Sequence, residues 1–231
     1  MLYILLIIIA VVTTATAIAQ AAEPKKCCFP DQYTVLKGST IATFTEETKA
    51  PLALYEAQDI AFDYTNGRIG YYANYTFFSG QDSQSTRVVE DMAKKLLWVI
   101  DPIKKQCTKS SLADFNTYRC IPENATYIGK SYFGDKSLYM DTWMFNTTDY
   151  LETAGLYSIA VDSNGCIPIG DSFNGKSTGA GVTQDVVSTS GYTNFELGIR
   201  DPDKYFKLPD YCKQVNNEPS KLLGLLQQTK L

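Results

Sequence analysis

Apolar positions in this chain recur every second residue, in short runs broken by turn residues, and that pattern predicts strands almost throughout. Leu96 to Ile100 (LLWVI) is a run of aliphatic and aromatic residues that stops at Asp101-Pro102, where proline removes a ladder donor and fixes its own φ. Tyr33 to Phe44 (YTVLKGSTIATF) reads as a strand, or as a hairpin interrupted at Lys37-Gly38. Leu52 to Asp63 leads into Asn66-Gly67, a strong hairpin signal, so Asp59 to Tyr64 and Arg68 to Phe78 are expected to pair. Arg87 to Lys95 suits either a few helical turns or a strand. Thr126 to Phe133 and Leu138 to Phe145 are strands joined at Gly134-Asp135-Lys136, and the second is apolar on both faces, as in a strand covered on both sides. Gly155 to Val161 (GLYSIAV) is another, and Val186 to Ser190 pairs with Thr193 to Ile199 about Gly191. The glycine-rich stretch Phe173 to Val182 is expected to be a mobile loop, since it lacks the order of a phosphate cradle. Asp201-Pro202 opens a short helix as N-cap and first position, and Pro219 to Gln228 suits a terminal helix. Roughly nine to twelve strands with little helix predict an all-β fold with minor helix.

The apolar start Met1 to Val12 runs into small residues that fit cleavage after Ala19 or Ala21. Residues 1–19 are therefore expected to be a signal peptide, with cleavage as late as 22, and residues 20–231 a single secreted domain. The missing positive n-region keeps an uncleaved anchor as the competing reading. Six cysteines remain: Cys27, Cys28, Cys107, Cys120, Cys166 and Cys212. An even count in an oxidising compartment argues for disulfides, and spacing alone leaves their connectivity open. The chain has no histidine, and no CxxC pair stands in for a zinc site. That absence excludes histidine-based nucleophilic and acid-base catalysis. A net charge of −4 and a pI near 4.9 argue against nucleic acid as a partner, because no basic stripe is available to meet phosphate.

Three N-glycosylation sequons begin at Asn74, Asn124 and Asn146. A glycan must point to water, so Asn74 fixes the faces of its strand: Tyr71, Ala73, Tyr75 and Phe77 point inward. Seven aromatic residues, Tyr71, Tyr75, Trp98, Tyr139, Trp143, Phe145 and Tyr157, are candidates to line an apolar ligand pocket. The competing reading is that they fill an ordinary β core.

Five segments occur in the order of a known family: an early Cys27-x-x-Pro30, the strand and turn ending IDPIKKQC, the sequon segment IPENAT, GLYSIAVDSNGCIP, and FELGIRDP followed by a cysteine near Pro209. Together they resemble the ependymins and mammalian-ependymin-related proteins from about Cys27 to Cys212. The resemblance implies a secreted, glycosylated, disulfide-bonded protein, often a homodimer, associated with calcium and with cell-matrix adhesion, collagen being one such matrix partner. It implies two stacked, curved antiparallel sheets forming a half-barrel around an apolar pocket, the type shared with bacterial lipoprotein carriers. Carried over by position, Cys27 pairs with Cys166 and Cys107 with Cys212, which leaves Cys28 and Cys120 to pair with each other.

The resemblance thus predicts a protein that holds a fatty acid, phospholipid or glycolipid, and no cofactor beyond calcium. Calcium needs several converging oxygen ligands. Asp201-Pro202-Asp203 and the turn from Asp162 to Asn164 are oxygen-rich, but neither follows EF-hand spacing, and a helix cap or a tight turn explains each. Carboxylate pairs such as Glu46-Glu47, or Asp141 with Asp162, are the candidates for glycosidase chemistry; scattered acids are usually solvated, and no enzymatic activity is expected. The alternative to a carrier is an adhesion or signalling glycoprotein that works through its surface.

Overall fold

The computed structural model describes residues 23–45, 51–80, 83–112, 119–150, 153–179 and 182–213. The leader, the Glu46-Glu47 pair and the Pro219 to Gln228 segment lie outside these residues.

Among the described residues, eleven strands form one antiparallel sheet: β1 (Gln32–Phe44), β2 (Leu52–Asp63), β3 (Arg68–Phe77), β4 (Gln84–Asp91), β5 (Leu96–Asp101), β6 (Gln106–Ser111), β7 (Thr126–Phe133), β8 (Leu138–Tyr150), β9 (Thr153–Asp162), β10 (Pro168–Gly179) and β11 (Val182–Leu197). The strand order is β6-β5-β4-β3-β2-β1-β11-β10-β9-β8-β7. One meander runs outward from β1 to β6, a second returns from β7 to β11, and β1 pairs with β11 at the centre. The fold is all-β with minor helix, as expected. Hydrogen bonding is continuous from edge to edge, so the two layers of the expected half-barrel are two wings of one sheet.

Burial shows that the wings curl toward each other. On β1, Tyr33, Val35, Lys37, Ser39, Ile41 and Thr43 alternate with less buried positions, which is the period-2 pattern of a one-faced core. Val35, Ile41 and Val88 are at most 1% exposed. The described helices are a five-residue α1 (Pro202–Phe206) and a short 3-10 turn (Asp210–Lys213), too little to cover such a face. The sheet covers itself, helped by Phe29, Leu112, Ile121 and Ala125 from its connections, which share one core with both wings. Residues 119–125 lead into β7 across the opening, where Phe29 and Ile121 exchange backbone bonds with Arg119 and Cys27.

Three disulfides lock this arrangement: Cys27 to Cys166, Cys28 to Cys120, and Cys107 to Cys212. The first two tie the N-terminal segment to the far wing and to the crossing strap. The third fastens the C-terminal segment over the outer face of β4 and β5, where Val89, Ile100 and Cys212 form a second small core.

Two predicted features differ. Phe173 to Val182 is no loop; most of it is the second half of β10. Its glycines are there for contact: a Cβ on Gly175 would sit 2.3 Å from the Ala154 carbonyl oxygen, and one on Gly155 would meet Gly175 at 2.5 Å. These two glycines face each other across β9 and β10, and the Phe173 ring lies against the space they leave. The segments on either side of Gly191 are one strand, β11, not a hairpin. Gly191 pairs with Gly38 on one side and Gly170 on the other, so three strands pass a row without side chains, where a sheet can coil without a clash.

The Asn66-Gly67 hairpin forms as predicted. Asp63 organises it by accepting from Gln32 (2.8 Å), the Asn66 side chain (2.9 Å) and Arg68 (2.6 Å). Burial by itself pushes the Asp63 carboxyl upward, but these bonds outweigh it and hold its pKa below the usual value.

Candidate functional site

The strands place the pocket candidates by parity. Tyr71 and Tyr75 of β3, and Trp143 and Phe145 of β8, are buried in the main core on the inner face, and Tyr157 of β9 is half-buried against it. Tyr127 packs on Trp143 (ring centroids 5.2 Å apart) and Phe145 on Tyr157 (5.3 Å). Ala73 and Phe77 are also buried, while Asn74 is exposed on the opposite face. Asn124 and Asn146 are exposed as well.

Two candidates lie elsewhere. On β5 the inner positions are Leu97 and Val99, so Trp98 points outward and packs with Val89, Ile100, Leu208 and Tyr211. The run LLWVI is apolar on both faces because the C-terminal segment covers the outer one. Tyr139 is 38% exposed at the start of β8, against Tyr132.

Across the middle of the inner face runs a band of polar residues. Adjacent strands align Glu56 of β2, Ser39 of β1, Ser190 of β11 and Asp171 of β10, with Gln58, Lys37 and Tyr192 in the next row. Ser39 donates to Ser190 at 3.1 Å and Gln58 to Glu56 at 2.8 Å. Lys37 and Asp171 form an ion pair at 3.2 Å whose side chains are 8% and 0% exposed. The Tyr192 hydroxyl donates to the same Asp171 oxygen, and Lys37 lies 5.4 Å from the Tyr192 ring centre. Beside this band lies an apolar row with Leu54, Ile41 and Phe173, interrupted by Ser188.

Tyrosines ring this space. Burial, with the Asp171 charge adding to it, drives the pKa of both Tyr157 and Tyr192 well above the usual value. Burial also raises Tyr64 to about 12, against the opposing effects of Tyr33 and Arg119. These hydroxyls stay protonated and act as hydrogen-bond donors. Although so strongly desolvated, Tyr64, Tyr157 and Tyr192 all keep accessible surface. Each is half-buried where it packs against the main core.

This band is not legible in the sequence. Lys37-Gly38 reads there as a possible interruption of its strand, and nothing local singles out Ser39 or Asp171, although Lys37 and Ser39 share the parity of Tyr33, Val35 and Ile41.

The acid-rich segments serve local structure. Asp201 caps α1 by accepting from the Lys204 amide at 3.1 Å, and Asp203 pairs with Lys207 at the surface. Asp162 accepts from the Asn164 and Gly165 amides of its own turn. Asp141 lies on the inner face and is bonded by Tyr127, whereas Asp162 pairs with Met140 on the opposite face, so the two carboxylates do not converge. Among the described residues no three acids, cysteines or histidines gather as a metal site.

A family model described as Ependymin matches residues 80–212, more than half of the chain. This chain belongs to the ependymin family. Among its relatives is the development-specific protein LVN1.2 of Lytechinus variegatus, 28% identical over 159 residues, which span 66% of this chain and 84% of that one. Ependymin-related protein 2 of Haliotis asinina is 25% identical over 193 residues, 81% of this chain and 89% of its own. A solved LolA superfamily protein of Nitrosomonas europaea aligns with this ependymin at a TM-score of 0.32 and 12% identity, over 77% of this chain and 90% of that one. Within the matched span of this ependymin lie Asp171, Tyr157, Tyr192 and Ser188; Lys37, Ser39 and Glu56 precede it.

Proposed function

We propose that this ependymin is a secreted glycoprotein that binds a hydrophobic small molecule of the lipid class inside the curl of its sheet. The observation that carries the reading is the set of tyrosines, Tyr64, Tyr157 and Tyr192, which are strongly desolvated yet still accessible, beside an apolar wall. Apolar walls with a few placed polar groups are what small-ligand sites are made of. The exposed Asn74, Asn124 and Asn146 support glycosylation, and the three disulfides support passage through an oxidising compartment. No helix among the described residues is long and apolar enough to cross a membrane. The proposal is for binding without catalysis. Among the described residues the candidate acids Asp162 and Asp201 bond the amides of their own turn and cap, and the proposed binding does not run through calcium.

A second reading, adhesion or signalling through the surface, is favoured by β7 at the open edge of the sheet, where Ile128, Tyr132 and Phe133 are more than half exposed. A second copy of the chain, or a matrix protein such as collagen, would use such an edge.

Native mass spectrometry of the secreted protein, followed by lipid extraction, separates the two. Near-stoichiometric bound lipid supports the carrier. Added lipid at about a hundredfold excess over Kd should then raise Tm by about 5 to 10 °C, since it binds only the folded state. Protein that is empty as secreted and takes up neither fatty acid nor phospholipid nor monoacylglycerol overturns the reading.

A further inference from the structure

Resting on that reading, we infer that the buried polar band selects a neutral lipid whose head group donates hydrogen bonds through hydroxyls, of the monoacylglycerol or long-chain alcohol class, over a free fatty acid. The two carboxylate oxygens of Asp171 differ. Its Oδ2 takes both Lys37 and Tyr192, while Oδ1, fully buried, has no hydrogen-bond partner. Ser188, one inner position along the adjacent strand, is 2% exposed, and its hydroxyl is also without a partner. Buried polar atoms in native proteins are nearly always bonded, so two orphans on neighbouring strands of one inner face mark a place for a polar group from outside the chain.

The chemistry of the orphans sets the class. An ionised carboxylate oxygen only accepts, so its missing partner must donate an O–H or N–H. A fatty-acid carboxylate brings a second negative charge beside Asp171, and to avoid it must take up a proton from neutral solution at a cost in affinity. Lys37 cannot serve it freely, because its ammonium is already neutralised at 3.2 Å by Asp171. A hydroxyl does what the site asks: it donates to Oδ1 in a charge-assisted bond, and a second hydroxyl meets Ser188 as donor or acceptor. The acyl chain then follows the adjacent apolar row past Ile41 and Phe173.

The test compares two lipids with one acyl chain, 1-monooleoylglycerol and oleate, on delipidated protein below their micellar concentrations. Kd is read by native mass spectrometry and checked by thermal shift. The expected result is a preference for monooleoylglycerol of about tenfold or more, the size of one hydrogen bond to a charged group. Asp171→Asn removes the repelling charge, so the preference should collapse or reverse toward oleate. Ser188→Ala, a milder change, should weaken monooleoylglycerol severalfold and leave oleate unchanged. The inference is overturned if wild-type protein binds oleate as tightly as monooleoylglycerol, a result that stands whether or not Asp171→Asn is secreted. It is overturned equally if both variants keep the wild-type preference. Binding of oleate alone refutes the head-group assignment and leaves the carrier reading intact, whereas binding of neither lipid, nor of phospholipid, refutes both.

Discussion

The Lys37 and Asp171 pair gives the sharpest test of the curled sheet, because its energetics depend on how completely the wings exclude water. The two side chains are 8% and 0% exposed, so this is a buried pair in a medium of low effective dielectric. Taking one partner away leaves a charge that water cannot reach, at a cost of about 3 to 5 kcal/mol. Lys37→Met should destabilise by that amount, since Asp171 then loses its ion-pair partner and keeps the Tyr192 hydroxyl. Asp171→Leu should cost as much, because it removes the carboxylate that meets both the Lys37 ammonium and the Tyr192 donor. The double variant Lys37→Met with Asp171→Leu removes both charges of the pair and leaves the Tyr192 hydroxyl to be re-satisfied, a penalty of about 1 to 3 kcal/mol. It should therefore be more stable than either single variant, with a coupling of several kcal/mol that no additive scheme reproduces. Equilibrium urea unfolding, with disulfides intact and Trp143 as the reporter inside the core, measures all four proteins, and far-UV circular dichroism checks that unfolding is two-state. Single variants that each cost less than about 1 kcal/mol, or costs that simply add, would refute the reasoning. The pair would then be solvated, and the wings would stand open.

Other substitutions probe separate parts of the fold. Trp143→Ala, at 1% exposure, should cost about 3 to 5 kcal/mol, read as a drop in thermal midpoint, together with loss of bound lipid. Gly175→Ala places a Cβ 2.3 Å from the Ala154 carbonyl and should lower stability by about 1 to 3 kcal/mol, whereas alanine at Gly80, where nothing lies within 4 Å, should suffer only from its positive φ; secreted yield ranks the two. Replacing Cys28 and Cys120 together by serine frees the crossing strap, with an expected loss of about 2 to 4 kcal/mol by denaturant titration and the other two bridges intact by peptide mapping. Asp63 has a folded pKa below its unfolded one, so its contribution is present at neutral pH and lost as pH falls through the folded value. Asp63→Asn should accordingly flatten the acid limb of stability between about pH 5 and 3; an unchanged acid limb would contradict the hydrogen-bond network around the hairpin.

Much of the architecture was legible because β structure is written locally. Alternation in Tyr33 to Phe44 and Arg68 to Phe77, the Asn66-Gly67 turn, the stop at Asp101-Pro102 and the Asp201 cap each rest on residues a few positions apart, whose preferences need no tertiary partner. The exposed sequon at Asn74 carried enough information to assign both faces of β3. Asp201 and Asp162 also read correctly as cap and turn, because such carboxylates bond amides two or three residues away.

What tertiary structure alone decided are the features set by residues far apart in the chain. Glycine is depleted in strands, so Phe173 to Val182 looked like a loop until Gly155, twenty residues earlier, proved to lie against Gly175. Gly191 looked like a turn until Gly38 and Gly170 were found beside it. Trp98 was misassigned because an apolar run cannot tell which face a C-terminal segment will cover. Lys37, Ser39, Asp171 and Ser190 come from strands up to 153 residues apart and acquire meaning only when β1, β11 and β10 align them in one buried row. A charge in a strand is solvated by default, and only the curl of a sheet around it turns Lys37 and Asp171 into a site. The sequence by itself thus determined the strands, their turns and the direction of most faces. Which polar residues were drawn inside depended on how the two wings close, a property of the whole sheet that no local segment contains.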